Sequence, residues 1–105
     1  MAFWSMLMMK VHEGQAESSA RAFIKRRAIE EAAESIPGFQ HGELLQSTHD
    51  PAQFCVLTSW DEEDAYRQWL ESPLRAKQFP DLVGLMADSP KTMIFQSLHR
   101  VSKAE

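Results

Sequence analysis

Two stretches of this chain are apolar on both faces of the strand they would form, and that constrains the fold more than any other feature. From Phe3 to His12 turn residues are absent; strand alternation puts Phe3, Leu7, Met9 and Val11 on one face and Trp4, Met6 and Met8 on the other. The run Phe54-Cys55-Val56-Leu57 likewise has no polar alternation. An antiparallel sheet with one face in water carries polar residues at every second position. Both faces of this sheet must therefore be covered.

The remaining pattern says what covers the first face. After a Glu13-Gly14 turn, Ala16, Ala20, Phe23, Ile24, Ala28 and Ala32 recur at helical spacing, which predicts one amphipathic helix from about 15 to 35. Arg26 with Glu30 and Arg27 with Glu31 are expected as i,i+4 pairs on its solvated face. Ile36-Pro37-Gly38 stops it. A strand over 39–47, a turn at Thr48-His49-Asp50-Pro51 and a strand over 54–60 follow. Asp61 is placed to cap a helix starting at Glu62, with Ala65, Tyr66, Trp69 and Leu70 as its apolar stripe. Ser72-Pro73 supplies the cap and first residue of a short helix through about Gln78, which Pro80 is expected to end. Residues 82–87 read as another short helix or a loop, and 92–101 as the last strand, before a polar tail.

The order β-α-β-β-α-β is the ferredoxin-like pattern, an α+β fold with a four-stranded antiparallel sheet. Two helices cover only one face of such a sheet. A second copy of the chain is the simplest cover for the other, which predicts a homodimer with sheets packed face to face. The stock of three Trp, six Phe and six Met agrees, being generous for the one small domain that 105 residues allow, taken here as 1–105.

Charge and cysteine content exclude several function classes. Eleven Lys and Arg against 15 Asp and Glu give a net charge of −4, without the basic footprint of a nucleic-acid binder. A single cysteine, Cys55, excludes an internal disulfide framework and a thiolate metal cluster, and reads as a small buried hydrophobe. The apolar stretch 1–11 lacks a basic leading segment and a cleavage site and is too short to span a bilayer, so a cytoplasmic protein without a membrane partner is expected. No Gly-rich phosphate loop, nucleophile elbow or flavin fingerprint occurs. His12, His41, His49 and His99 have no metal-ligand spacing, so no protein-held metal is expected.

Ile36-Pro37-Gly38-Phe39, then Phe54 to Asp61, then Ala65-Tyr66 and Trp69-Leu70-Glu71-Ser72-Pro73, in that order and spacing, resemble the antibiotic biosynthesis monooxygenase domain family over nearly the whole chain. The resemblance implies a dimeric α+β barrel with a pocket between helices and sheet in each subunit. One branch of the family oxidises electron-rich phenols, anthrones or quinols without a cofactor; another binds haem and opens its ring. The haem branch uses an Asn on the first strand, a Trp on the second helix and an iron-ligating His one or two turns beyond. Here the Trp is Trp69, but Leu7 and Gln78-Phe79 stand at the other positions. An amide does not replace imidazole as an axial ligand.

The expectation is therefore a monooxygenase without cofactor, acting on a small hydrophobic aromatic, phenolic or quinol-type molecule in a pocket walled by Leu7, Phe23, Trp69 and Gln78. Such chemistry needs a dry apolar cleft, an aromatic wall and one base or hydrogen-bond donor that favours the substrate anion. For that last part Arg27, Gln78, His41 and His99 are candidates, among which the residues do not choose. Haem is the alternative cofactor, with His41 or His99 as its ligand, and a non-catalytic ligand-binding dimer is the third reading.

Overall fold

The computed structural model describes residues 2–103, and its elements run β1 (Phe3–Lys10), α1 (Ala16–Lys25), α2 (Ala28–Ser35), β2 (Phe39–Gln46), β3 (Gln53–Trp60), α3 (Glu63–Leu70), α4 (Pro73–Val83) and β4 (Lys91–Gln96). One antiparallel sheet has the order β2-β3-β1-β4. This is the ferredoxin-like arrangement, with the helix expected over 15–35 resolved into α1 and α2 and the two helices expected after Asp61 present as α3 and α4.

Register fixes the two faces. Phe3, Ser5, Leu7 and Met9 stand opposite Trp60, Thr58, Val56 and Phe54 on β3, all toward the helices. Met9, Val11, Phe23, Ala28, Phe54, Leu82 and Met86 form one buried cluster, and Phe3, Ala32, Ile36, Trp60 and Ala65 a second. On the other face Trp4 stands beside Phe95, and Met6 lies between Met93 and Leu57, as the sequence pattern predicts. Met93 and Phe95 are exposed there, and Trp4, Met6, Met8 and Leu57 half-buried.

Several boundaries differ from expectation. The helix predicted over 15–35 breaks at Arg26-Arg27, where Arg27 takes the left-handed conformation at φ 59°. That conformation is costly for a residue with a Cβ. The break replaces the expected i,i+4 pairs with longer ones: Arg26 binds Glu31 at 2.9 Å and Asp81 at 2.8 Å, and Arg27 binds Glu34 at 2.9 Å. Arg26 thereby joins α2 to α4. Pro80 does not end α4 but lies inside it, although its nitrogen offers no proton to the helix ladder. Buried Gln78 and Leu82 flank it on the packed side.

At α3 the cap position falls on Glu62, which makes no side-chain cap bond, and not on Asp61. Asp61 instead faces Gly38: a Cβ on Gly38 would stand 2.3 Å from its Oδ1 and 2.6 Å from the Ala65 Cβ. Glycine in the Pro37-Gly38-Phe39 turn thus permits β2 to start against α3. β1 ends at Lys10, with Val11 in an isolated bridge to Met86. β4 covers 91–96 only, so His99 lies beyond the strand it was assigned to.

Candidate functional site

Between the helix layer and the sheet lie two small adjoining cavities. The inner one, about 80 Å³, is lined by Leu7 from β1, Phe23 from α1, Trp69 from α3 and Gln78 from α4, with Val56 and Trp60 from β3. The four residues singled out from sequence as pocket wall thus surround one space. The outer one, about 90 Å³, shares Leu7, Val56, Thr58, Trp60 and Trp69 and adds Ser5, Tyr66 and Arg75. Trp69 is common to both, at the end of α3, half-buried.

Each wall has a local cause. Strand alternation brings Leu7 to the covered face beside Val56. Ser72 caps α4 through the Leu74 amide at 3.2 Å, and Pro73 occupies the first turn, which fixes the helix that carries Arg75 and Gln78 one turn apart. Trp60 is 1% exposed, and its indole Nε1 donates to Ser5 Oγ at 3.0 Å. Phe39 meets its ring edge-on at 5.6 Å, and Tyr66 lies 5.8 Å away.

The polar groups are few. Gln78 is buried, and its Nε2 donates to the Ala28 carbonyl at 3.1 Å and to Glu31 Oε1 at 2.8 Å. Glu31 is held below the ordinary carboxylate range, first by that bond and next by Arg26. Burial pushes the Tyr66 phenol up, an effect that Arg75 partly opposes. Arg75 itself is exposed, with Nη1 3.4 Å from the Leu70 carbonyl, so it forms the rim of the outer cavity.

The other polar candidates lie elsewhere. Arg27 is paired to Glu34 on the surface. His41 sits on the opposite face of the sheet, 2.7 Å from Glu43, and His99 is exposed beyond β4. None of the four histidines lines either cavity. Leu7 is apolar, Gln78 has its nitrogen committed, and Phe79 is 48% exposed, so the inner cavity has no donor suited to a haem iron. Among the described residues no three His, Cys, Asp or Glu side chains are grouped to hold a metal.

Ser5, Thr58, Tyr66 and Arg75 are site residues that sequence reasoning missed. A signal existed for the first: a buried indole needs an acceptor, and Ser5 is a polar residue on the covered face of β1. A wider depression of about 830 Å³ surrounds the Lys10–Asp50 ion pair, with Glu13 and Asp88 on its walls. Its walls carry charges of both signs, whereas aromatic and aliphatic side chains dominate the space beside Trp69.

Comparison with solved structures places this architecture among known proteins. SnoaB, a cofactor-independent oxygenase from Streptomyces nogalater, superposes with a TM-score of 0.80 at 20% identity, over 97% of this chain and 98% of that one. Rv0793 from Mycobacterium tuberculosis gives 0.78 at 14% identity, over 97% and 100%. A conserved protein from Methanosarcina mazei gives 0.76 at 18% identity, over 90% and 91%. The antibiotic biosynthesis monooxygenase family pattern matches residues 3–78, from the first strand through Gln78. The chain belongs to the antibiotic biosynthesis monooxygenase family.

Proposed function

We propose that this protein is a cofactor-independent monooxygenase acting on a single phenolic or quinol-type ring seated against Trp69. The observation that carries this reading is the pair of adjoining cavities, about 80 and 90 Å³, walled by Trp60 and Trp69 and rimmed by Arg75. A cavity of about 150 Å³ accepts benzene, so the two together suit one ring.

In this reaction the substrate supplies the electrons. A phenol loses its proton, the phenolate passes one electron to dioxygen, and the two radicals join at an unsubstituted ring carbon. The resulting peroxide loses its C–H proton as the O–O bond breaks, leaving a carbonyl and hydroxide; the hydroxide takes up a proton to give water. Overall the phenol loses two hydrogens and gains one oxygen, and the other oxygen leaves as water. All four electrons taken by dioxygen come from the ring.

The protein's part is to exclude water, hold the ring and favour its anion. Leu7, Val56 and Trp69 do the first two. Arg75 does the third, as a fixed positive charge at the rim. Oxygen uptake in metal-free buffer, measured over a panel of phenols and 1,4-dihydroxyarenes, tests the reading. Uptake with one quinone formed per dioxygen is expected, without hydrogen peroxide. Arg75→Met is expected to lower kcat/KM about tenfold near neutral pH and to recover as the pH passes the phenol's own pKa. No uptake across the panel, or stoichiometric peroxide, overturns it. Retained ring binding without uptake would mark a non-catalytic binding protein.

A homodimer is part of the same proposal. Met93, Met6 and Leu57 form an apolar row across the uncovered face of the sheet, flanked by Trp4 and Phe95. Light scattering is expected to give twice the 12.0 kDa of one chain. Met6→Glu, which places a charge in the centre of that row, is expected to shift the mass to that of one chain. A monomeric parent protein would overturn the dimer.

A further inference from the structure

Gln78 is an unusual polar residue for an apolar wall, because its surroundings decide which end of its amide faces the cavity. An amide's oxygen and nitrogen are nearly isosteric, and their assignment rests on their partners. Here both partners, the Ala28 carbonyl at 3.1 Å and the Glu31 carboxylate at 2.8 Å, only accept. Both lie on α2, so the NH2 group must point there. Arg26 holds the Glu31 carboxylate at 2.9 Å and is itself held by Asp81 at 2.8 Å. The charged chain Asp81–Arg26–Glu31 therefore locks the amide in one orientation.

That leaves Oε1. Gln78 is 4% exposed and lines the inner cavity. Among the described residues every side-chain oxygen or nitrogen sealed from solvent has a hydrogen-bond partner. Among the described residues Oε1 has none, so it is not sealed, and the inner cavity is the space that Gln78 lines. We propose that Gln78 is a specificity residue that presents a fixed acceptor to the neutral ring as it binds and selects ligands carrying an O–H over counterparts that only accept, the anion formed afterwards being favoured by Arg75. The assignment rests on the reading that the cavity binds a phenolic ring.

The other polar groups do not duplicate this role. Ser5 and Thr58 carry hydroxyls that rotate to donate or accept, and so serve either kind of ligand. Gln78 does not invert without leaving Ala28 and Glu31 facing an oxygen. A ligand without a donor leaves Oε1 buried and unpaired, at a cost equivalent to roughly 10- to 100-fold in affinity. The same discrimination favours release of a quinone, which offers only acceptors, over retention in place of the phenol.

The test compares phenol with its methyl ether, anisole, by calorimetric titration of the intact protein. The parent protein is expected to bind phenol at least tenfold more tightly. Gln78→Met keeps the bulk and removes the acceptor, and is expected to bring the two affinities within about threefold. Glu31→Gln keeps Gln78 in place but permits its amide to invert, and is expected to narrow the preference as well. Equal affinities in the parent protein, a preference that survives both substitutions, or binding of neither ligand overturns the proposal. If phenol and anisole bind alike while oxygen is still consumed on phenols, this assignment fails and the monooxygenase reading stands. Selective binding without oxygen uptake gives the reverse.

Discussion

Trp60→Ala is expected to destabilise the protein by about 3–5 kcal/mol, the range for removing a large buried aromatic side chain. Trp60 is 1% exposed and lines both small cavities, so the truncation leaves a large void between helices and sheet. The framework around it gives little room to collapse: Phe39, Tyr66 and Phe3 are ring neighbours of one another or of the indole. Trp60→Phe should cost less than half as much, since it retains most of the apolar burial and loses mainly the 3.0 Å bond to Ser5. Urea unfolding followed by circular dichroism checks both, at one fixed protein concentration because self-association would add to apparent stability. A loss below about 1 kcal/mol for the alanine variant would show that the wall closes up, contrary to the packing described.

Trp69→Ala should show the opposite balance, with a large loss of activity and a smaller loss of stability. Trp69 is half-buried, at the last turn of α3, and is shared by the inner and outer cavities. Removing it takes away the aromatic wall and admits water, and a misplaced ring costs on the order of 10²-fold in rate. Trp69→Phe is expected to retain activity within about tenfold, because a flat apolar face remains. Steady-state oxygen uptake on the best phenol of the panel measures both. An alanine variant as active as its parent would place the chemistry away from Trp69.

The strands of the sheet were legible because period-two apolar alternation is a strong and local signal. Leu7 could be placed on an inward face for the same reason, and Phe23 and Trp69 by helical spacing. The break at Arg27 was not, since neither glycine nor asparagine marks the left-handed residue; what accompanies it is the pairing of Arg26 with Asp81, 55 residues away. Pro80 misled because its local cost is real, yet α4 continues where Gln78 and Leu82 are buried against α2 and the sheet. The polar part of the site was hidden for a related reason. Arg75, Tyr66, Ser5 and Thr58 come from four elements, and only the fold brings them to one cavity.

The position of β1 in the sheet governs the order in which the chain can assemble. Its two neighbours, β3 and β4, begin at Gln53 and Lys91, so the strand that comes first must wait for partners that come much later. Pairings of such long sequence separation are slow to form, because the closure entropy is lost before the contacts return it. Until Lys91 to Gln96 is available, one edge of a Met-rich strand lies open to other chains during synthesis.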